Sequence, residues 1–341
     1  MSEHLRRTAG LLALAAVPLL AGCGGAPGDD TIRFRATQRL SSVISHIAAA
    51  EGFFEREGLD VEMVFWESGS TLLPLLDDGS LDVSEVNGLL GVANLADRGA
   101  RLRIVAGRVF HDTSAPCGYF SFVARRGLVE SGRLDDFASL RGLRICTSRT
   151  TSSYFYWSRA LASAGLDLGD VELLDVPRTA VLDALAEDRI DVCSGSEPWP
   201  TRWRQSGAAS IWRPLADALP DRVANHLVFG RRLLEDRPDL GYRFMRAYRS
   251  AAVHYQSEGK SEEHLDIVAR RTRIDREDLA EMCWPSVPPD GLPGRADLED
   301  WQRWGVAEGL LDRVVPYEKR VDERFLADAN SGIAASASPT R

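Results

Sequence analysis

Residues 147–153 carry the groups in this chain that are best suited to binding an anion. Six of these seven residues have a hydroxyl, and the remaining one is Arg149. Helical periodicity predicts a helix from Ser148 to Ala164, and its first turn would offer free backbone N–H groups and the positive end of a dipole to a sulfonate, phosphate or carboxylate. N-capping alone needs only one hydroxyl. We therefore interpret six of these residues as ligand contacts: Thr147, Ser148, Arg149, Thr150, Thr151 and Ser152.

Charged residues near the predicted strand ends leave the sign of the ligand open. Three arginines favour an anion: Arg39, Arg149 and Arg178. Three acids favour a cation or an amino-heterocycle: Glu67, Glu85 and Glu197. Uncompensated carboxylates would repel nitrate or a simple sulfonate, and Trp66 could stack on a flat ring or cover a cation. The sequence thus favours a small organic ligand with an amine or heteroaromatic part, although each charge could instead be a solvated loop residue.

Catalytic and metal-binding motifs are missing from the sequence. It contains no G-x-S-x-G, H-E-x-x-H or P-loop pattern and no CxxC or Cys/His spacing typical of a metal site. The histidines are scattered; we interpret His46 as structural, whereas His111 and His226 could reach a cleft. We therefore expect a protein without catalysis, cofactor or metal.

Alternating strands and helices must position these residues. The pattern predicts strands at Ile32–Ala36, Leu59–Phe65, Leu81–Val83 and Leu102–Gly107, and again at Leu143–Cys146, Val171–Val176 and Ile190–Cys193. Residues 72–83 parallel residues 181–192, because each segment has an amphipathic helix, a tight turn and an apolar-Asp-Val sequence. Strands separated by helices indicate parallel βαβ units. Their repetition predicts two similar lobes, unless these short units are alike by chance.

The direction of the strands in such sheets predicts where a ligand binds. Ligands of open parallel sheets bind at the carboxyl ends of the strands. This rule adds residues of the strand-end loops to the candidate ligand contacts: Gln38, Arg39, Trp66, Glu67, Ser68, Glu85, Asn87, Ser196 and Glu197. Arg178 is a further candidate because of its charge. Tyr154, early in the helix after the hydroxyl-rich run, is the aromatic residue that we expect in the cleft.

The N-terminal segment has the features of an export signal. Arg6 and Arg7 precede the apolar run Leu11–Leu20, which is too short to span a bilayer as a helix. The run ends in Leu20-Ala21-Gly22-Cys23, which resembles the bacterial lipobox and predicts cleavage after residue 22 and lipidation of Cys23. Residues 23–30 would then be a tether. The alternative is an ordinary cleaved signal followed by a chance cysteine.

Composition excludes other classes of protein. The chain of 341 residues has a net charge of −9, so nucleic acid is not expected as a partner. Its length predicts two domains, and its Ala/Ser-rich tail, residues 331–341, is predicted to be disordered.

We interpret the four other cysteines, Cys117, Cys146, Cys193 and Cys283, mainly as small buried residues. A bond between Cys146 and Cys193, which end two neighbouring strands, stays open.

The order of several short motifs resembles that of the type II periplasmic binding proteins of ABC importers. The motifs are Ala49–Phe54, Glu57–Val61, Gly79–Val83, Leu140–Ile145, Glu197–Trp199, Pro289–Gly291 and Val321–Phe325. The resemblance is strongest to the branch that carries nitrate, sulfonates, taurine and pyrimidine precursors of thiamine. It covers about residues 31–330.

This resemblance implies an α/β fold with two lobes, each a mainly parallel sheet flanked by helices, and two hinge crossings near residues 119–123 and 225–229. Lobe 1 would contain residues 31–120 plus 227–330, and lobe 2 residues 121–226. A ligand bound between the lobes would stabilise the closed state. We expect a monomer, held outside the cytoplasmic membrane by lipid, that delivers its solute to ABC permease and ATPase subunits. The alternatives are a ligand-sensing lipoprotein of a signalling system and a cryptic hydrolase.

Overall fold

The computed structural model describes residues 30–65, 72–149 and 151–337. Several predictions lie outside the described residues. They are the signal peptide, lipidation at Cys23, most of the tether, the end of the tail, and the candidate contacts Trp66, Glu67, Ser68 and Thr150. Among the described residues, no helix combines the length and the apolar character needed to cross a membrane.

The described strands alternate with helices over the first two thirds of the chain. The strands are β1 (Ile32–Ala36), β2 (Val61–Phe65), β3 (Val83–Val86), β4 (Arg103–His111), β5 (Phe120–Arg125), β6 (Arg144–Cys146), β7 (Glu172–Leu174), β8 (Val192–Ser196), β9 (Ala209–Pro214) and β10 (Arg222–Phe229). The helices between them are α1 (Val43–Ala50), α2 (Phe53–Arg56), α3 (Leu73–Asp78), α4 (Leu89–Asp97), α5 (Arg126–Glu130), α6 (Ser152–Ser163), α7 (Val181–Ala186) and α8 (Trp199–Gln205).

The remainder of the chain is mainly helical, as the sequence predicts. It contains α9 (Pro238–Glu258), α10 (Glu262–Thr272), α11 (Arg276–Glu281), α12 (Arg295–Ala307), α13 (Tyr317–Arg320) and α14 (Arg324–Ala337). The prediction of disorder from Ser331 is wrong for residues 331–337. Helix α14 buries Phe325, Leu326 and Ala329 in the core, and its alanines favour continuation of the helix beyond this contact.

The described strands form two mixed five-stranded sheets with the orders β2-β1-β3-β10-β4 and β7-β6-β8-β5-β9. Three strands of each sheet pair in parallel, and the remaining two pair antiparallel. The two-lobed α/β class with mainly parallel sheets is confirmed, because four of the five strands in each sheet run in the same direction. Strands β5 and β10 run against their neighbours because each directly follows a passage of the chain from the other sheet.

The internal repeat predicted from the sequence has a structural cause. Asp82 and Asp191 each precede the third strand of their sheet's parallel half, and each accepts a backbone N–H from the first strand. The donors are the amides of Arg33, at 2.8 Å, and Arg144, at 2.9 Å. Burial opposes ionisation of Asp191, but hydrogen bonds from Arg144 and Arg125 lower its pKa to about 2. The repeated aspartates therefore hold corresponding strands together in both sheets.

Aromatic clusters fill the space between sheets and helices. In the first sheet, Phe34 packs against Phe244 of α9 with 5.2 Å between ring centroids. In the second sheet, Phe122 packs against Trp157 of α6 at 4.5 Å. Residues from both sheets share one buried apolar cluster, so the helices hold the strand ends of the two sheets near each other.

The two passages between the sheets lie between His111 and Phe120 and between Pro214 and Arg222. The second precedes the crossing predicted at 225–229, because those residues already belong to β10. The first passage carries Cys117, which forms a disulfide with Cys283 across a Cα–Cα distance of 5.8 Å. Cys146 and Cys193 are opposite each other in the sheet register but remain free and buried. The interpretation as unpaired buried residues is therefore wrong for the pair Cys117 and Cys283.

Candidate functional site

A cavity of about 290 Å³ opens at the carboxyl ends of β6, β7 and β8. Loops after all three strands supply its walls, as the polarity of a parallel sheet predicts. The lining residues are Cys146, Thr147, Ser148, Thr151, Ser153, Asp175, Val176, Pro177, Arg178, Val181, Cys193, Ser194 and Trp203. Of the predicted ligand contacts, this cavity brings together Thr147, Ser148, Thr151 and Arg178.

Residues that line this cavity carry buried polar atoms without partners among the described residues. The hydroxyls of Thr147 and Ser194 and the indole Nε1 of Trp203 are buried, with no hydrogen-bond partner among the residues that the structure describes. A buried donor that stays unsatisfied costs about 1–3 kcal/mol. Acceptor atoms of a bound ligand would remove that cost. The lining is thus prepared for a ligand rich in oxygen.

Arg178 supplies positive charge to the same cavity. A Cβ atom added to Gly195 would lie 2.9 Å from Arg178 Nη1, so the guanidinium rests close against the backbone of β8. Burial lowers the pKa of Arg178, and the charge of Arg39 nearby lowers it further. Two guanidinium groups that disfavour each other's charge gain stability when an anion binds between them.

A second cavity, of about 60 Å³, lies between the two sheets. Its walls come from loops of both sheets: Arg39, Ser41, Asn87, Val109, His111, Tyr119, Phe120, Ser152, Tyr156, Ser196, Ala224 and Asn225. Burial raises the pKa of the Tyr119 phenol, and the nearby hydroxyls of Ser196 and Ser41 partly offset this rise. Consecutive residues Thr151 and Ser152 line one cavity each. The two cavities therefore adjoin, and together we call them the cleft.

Two of the predicted acidic contacts lie away from the cleft. Glu85 is fully buried; it pairs with Arg108 at 3.0 Å and accepts a hydrogen bond from the Ser45 hydroxyl at 2.6 Å. Glu197 is also buried and accepts from the Thr201 hydroxyl at 2.8 Å. Burial raises the pKa of Glu197. Both carboxylates already have protein partners, and neither lines the two cavities.

The described part of the cleft consequently has a positive charge. The lining contains two arginines, Arg39 and Arg178, and one acid, Asp175, and all three residues are exposed. His111 does not add charge near neutral pH, because burial lowers its pKa to about 4. This balance reverses the preference for an amine that the three predicted acids suggested.

Three other predicted ligand contacts, Arg149, Tyr154 and Gln38, do not line either cavity. Arg149 reaches Glu308 at 3.4 Å and lies over the ring of Tyr154. Tyr154 is buried against Trp304, with 5.9 Å between ring centroids. Gln38 is exposed next to Arg39 but does not line either cavity. Tyr156, two residues further along α6, lines the cleft instead.

The strand-end rule missed several lining residues. Asp175, Val176 and Pro177 follow β7, the middle strand in chain order, and the same rule applied to that strand finds them. Tyr119 lies in the first passage, directly before β5, and Asn225 lies on β10, which follows the second passage. No local pattern distinguishes these two residues, because their position depends on how the two sheets meet.

Comparison with known proteins identifies the family of the chain. The model of the NMT1/THI5-like family matches residues 42–258. The chain belongs to the NMT1/THI5-like family. A Bacillus subtilis relative named as an aliphatic sulfonates-binding protein is 28% identical over 345 residues, which cover 94% of this chain and 96% of the relative.

A second relative of this NMT1/THI5-like chain is named as a binding protein of Brucella abortus. It is 26% identical over 183 residues, which are 53% of this chain and 47% of the relative. The chain thus spans about half the length of that relative.

Solved structures show the same fold. The periplasmic aliphatic sulphonate-binding protein of Escherichia coli superposes with a TM-score of 0.70 at 16% identity, covering 86% of this chain and 92% of that one. The periplasmic nitrate-binding protein of Synechocystis PCC 6803 gives 0.69 at 16% identity, with coverages of 93% and 92%. A desulfurization enzyme also shares the fold, with a TM-score of 0.64, 16% identity and coverages of 89% and 99%. The fold of this NMT1/THI5-like chain is therefore that of two-lobed periplasmic binding proteins.

Proposed function

We propose that this protein captures a small organic anion, an alkanesulfonate foremost, and delivers it to an ABC permease. The observation that carries the proposal is the pairing of Arg39 and Arg178 with unpartnered hydroxyls in one cleft. The name of the Bacillus subtilis relative supports the choice of sulfonate. The burial of Glu85 and Glu197 removes the main argument for a cationic ligand.

The sulfonate group would lie at the start of α6. Its oxygens would accept hydrogen bonds from the hydroxyls of Thr147 and Ser194, from the first free N–H groups of α6, and from Arg178. A hydrogen bond to a charged group contributes about 1.5–3 kcal/mol, so a few such bonds suffice for micromolar affinity. The organic part of the ligand would extend toward Tyr119 and Tyr156 in the cavity between the sheets.

Closure of the two lobes would couple binding to transport. The cleft takes residues from both sheets, so a ligand that contacts both would stabilise the closed arrangement. The proposed lobes are residues 31–120 plus 227–330 and residues 121–226. Lipid at Cys23 and the tether would hold the monomer near its permease and raise its local concentration there.

Calorimetry of the purified protein tests the ligand class. We expect ethanesulfonate or a longer alkanesulfonate to bind with one site per chain, and an uncharged alcohol of the same length to fail. Aminopyrimidines and polyamines are tested in the same way, because a cleft that prefers amines would bind them instead. The proposal is wrong if a polyamine binds and no sulfonate, nitrate or carboxylate does. Small-angle scattering should show a smaller radius of gyration when the anion is bound.

We propose no catalysis at this cleft, although a desulfurization enzyme shares the fold. The free thiols that line the first cavity belong to Cys146 and Cys193. Burial raises the pKa of both, whereas a nucleophilic cysteine needs its thiolate form. Incubation with an aryl sulfinate should release no sulfite, and a steady turnover would overturn this part of the proposal.

A further inference from the structure

Two histidines and a glutamate from distant parts of the chain meet on the first lobe, outside the cleft. Glu51 directly follows α1, His254 lies near the end of α9, and His264 lies near the start of α10. His254 Nε2 is 2.9 Å from Glu51 Oε2, and His264 Nε2 is 3.2 Å from Glu51 Oε1. One ligand atom from each residue lies within 4.8 Å of the other two.

The hydrogen bond made by His264 Nδ1 determines which ring nitrogen is free. Nδ1 lies 2.7 Å from the backbone carbonyl oxygen of Gly259. A carbonyl only accepts, so Nδ1 carries a hydrogen and donates it. In the neutral ring, Nε2 then presents its lone pair toward Glu51. A backbone carbonyl bound to the second nitrogen is also the arrangement that orients metal-binding histidines.

The atoms that face each other have no other partner. Glu51 Oε1 and His264 Nε2 are both buried, and neither has a hydrogen-bond partner among the described residues. Two buried acceptors opposite each other are unfavourable unless something positive lies between them. A proton could bridge each imidazole to its own oxygen of Glu51, and a metal ion is the alternative that joins both imidazoles to the carboxylate. One divalent cation satisfies all three side chains together.

We propose that Glu51, His254 and His264 bind a zinc ion. In a tetrahedral site with bonds of about 2.0–2.1 Å, the ligand atoms are roughly 3.3 Å apart. The two nitrogen–oxygen separations, 2.9 Å and 3.2 Å, involve different oxygens of Glu51, so a rotation of the carboxylate would place one oxygen and both nitrogens around one ion. Two histidines and one carboxylate form a common zinc ligand set and leave one position for water. The His254 side chain is 36% exposed, which opens the site to solvent.

A metal at this position would connect three elements of the first lobe. It would join the end of α1 to α9 and α10, whereas none of its ligands lines the cleft. The nearby Arg56 donates to the backbone carbonyl of Glu51 at 2.7 Å. The expected consequence of zinc is a more stable fold, because an ion that binds only the folded chain shifts unfolding to higher temperature.

Zinc titration of the full chain tests this site after treatment with a chelator. With zinc chloride and a competing chromophoric chelator, we expect one high-affinity zinc per chain and a rise in melting temperature. Cobalt(II) should give the visible absorption of a tetrahedral complex. Glu51→Gln and His254→Ala should each weaken zinc binding at least tenfold, and both changes lie at partly exposed side chains, which lets the fold form.

Glu55→Gln is the matched control, because Glu55 is an exposed acid on the adjacent helix α2. It should bind zinc as the wild type does, and alkanesulfonate binding should be the same in all variants. The proposal is overturned if the wild type binds no zinc at micromolar concentration. It is also overturned if both Glu51→Gln and His254→Ala keep wild-type affinity, since the zinc would then bind elsewhere.

Discussion

At the scale of single residues, burial separates functional charges from structural ones. Glu85 and Arg178 both follow a strand and both bear charge, so they look alike in sequence. Glu85 is fully buried and paired with Arg108, whereas Arg178 lines a cavity beside hydroxyls that have no described partner. A charge that already has a partner stabilises the fold, and a charge that faces open space can bind a ligand.

Substitution of Arg178 tests this distinction. Arg178→Gln removes a charged donor while keeping most of the side-chain length, so affinity for the anion should fall at least about tenfold, or about 1.4 kcal/mol. Calorimetry with the alkanesulfonate measures the change. Arg202→Gln is the control, since Arg202 is exposed on α8 and outside the cleft lining. Equal losses in the two variants would contradict a specific role for Arg178.

At the scale of elements, the ends of strands build the cleft and a covalent bond holds one passage between sheets. Strands β6, β7 and β8 end at the larger cavity. The disulfide from Cys117 to Cys283 attaches the first passage to the segment that follows α11. Glu197 accepts a hydrogen bond from the Cys283 amide at 3.4 Å, so this attachment also reaches the end of β8.

Removal of the disulfide should destabilise the protein. The bond closes a sequence separation of 166 residues, and loops of this size are typically worth about 2–5 kcal/mol. The double variant Cys117→Ser/Cys283→Ser should therefore melt at a lower temperature than the oxidised wild type. A reductant provides the control: it should lower the melting temperature of the wild type and leave that of the double variant unchanged. Identical melting of the two oxidised proteins would show that the bond adds no stability.

At the scale of the whole molecule, three buried histidines link stability to pH. Burial lowers the pKa of His46 to about 3 and those of His111 and His226 to about 4. In the unfolded chain, each would titrate near 6.5. Above that pH both states are neutral and the histidines have no effect. Below it the unfolded chain binds protons that the folded chain excludes, so the free energy of unfolding falls until the pH reaches about 4.

Urea unfolding between pH 7.5 and pH 5 measures this effect. Each histidine should contribute a slope of up to about 1.4 kcal/mol per pH unit. His111→Phe keeps an aromatic ring next to Phe120 and Tyr156 and removes one titrating group, so its slope should be smaller than that of the wild type. A stability that stays constant or rises as the pH falls would refute the assignment.

The sequence determined the features that depend on neighbouring residues. Periodicity and turn residues predicted the alternation of strands and helices, and the apolar-Asp-Val repeat predicted two similar sheets. Strand polarity predicted that Thr147 and Ser148 follow the carboxyl end of a strand, where a cavity opens. These inferences held because helices and strands impose their periods on the residues that form them.

Only the tertiary structure decided which distant residues meet. It paired Glu85 with Arg108 and so changed the charge of the cleft; it joined Cys117 to Cys283, and it brought Glu51, His254 and His264 together. Each outcome involves residues far apart in the chain. Their encounter depends on the packing of sheets and helices, and no local pattern encodes it.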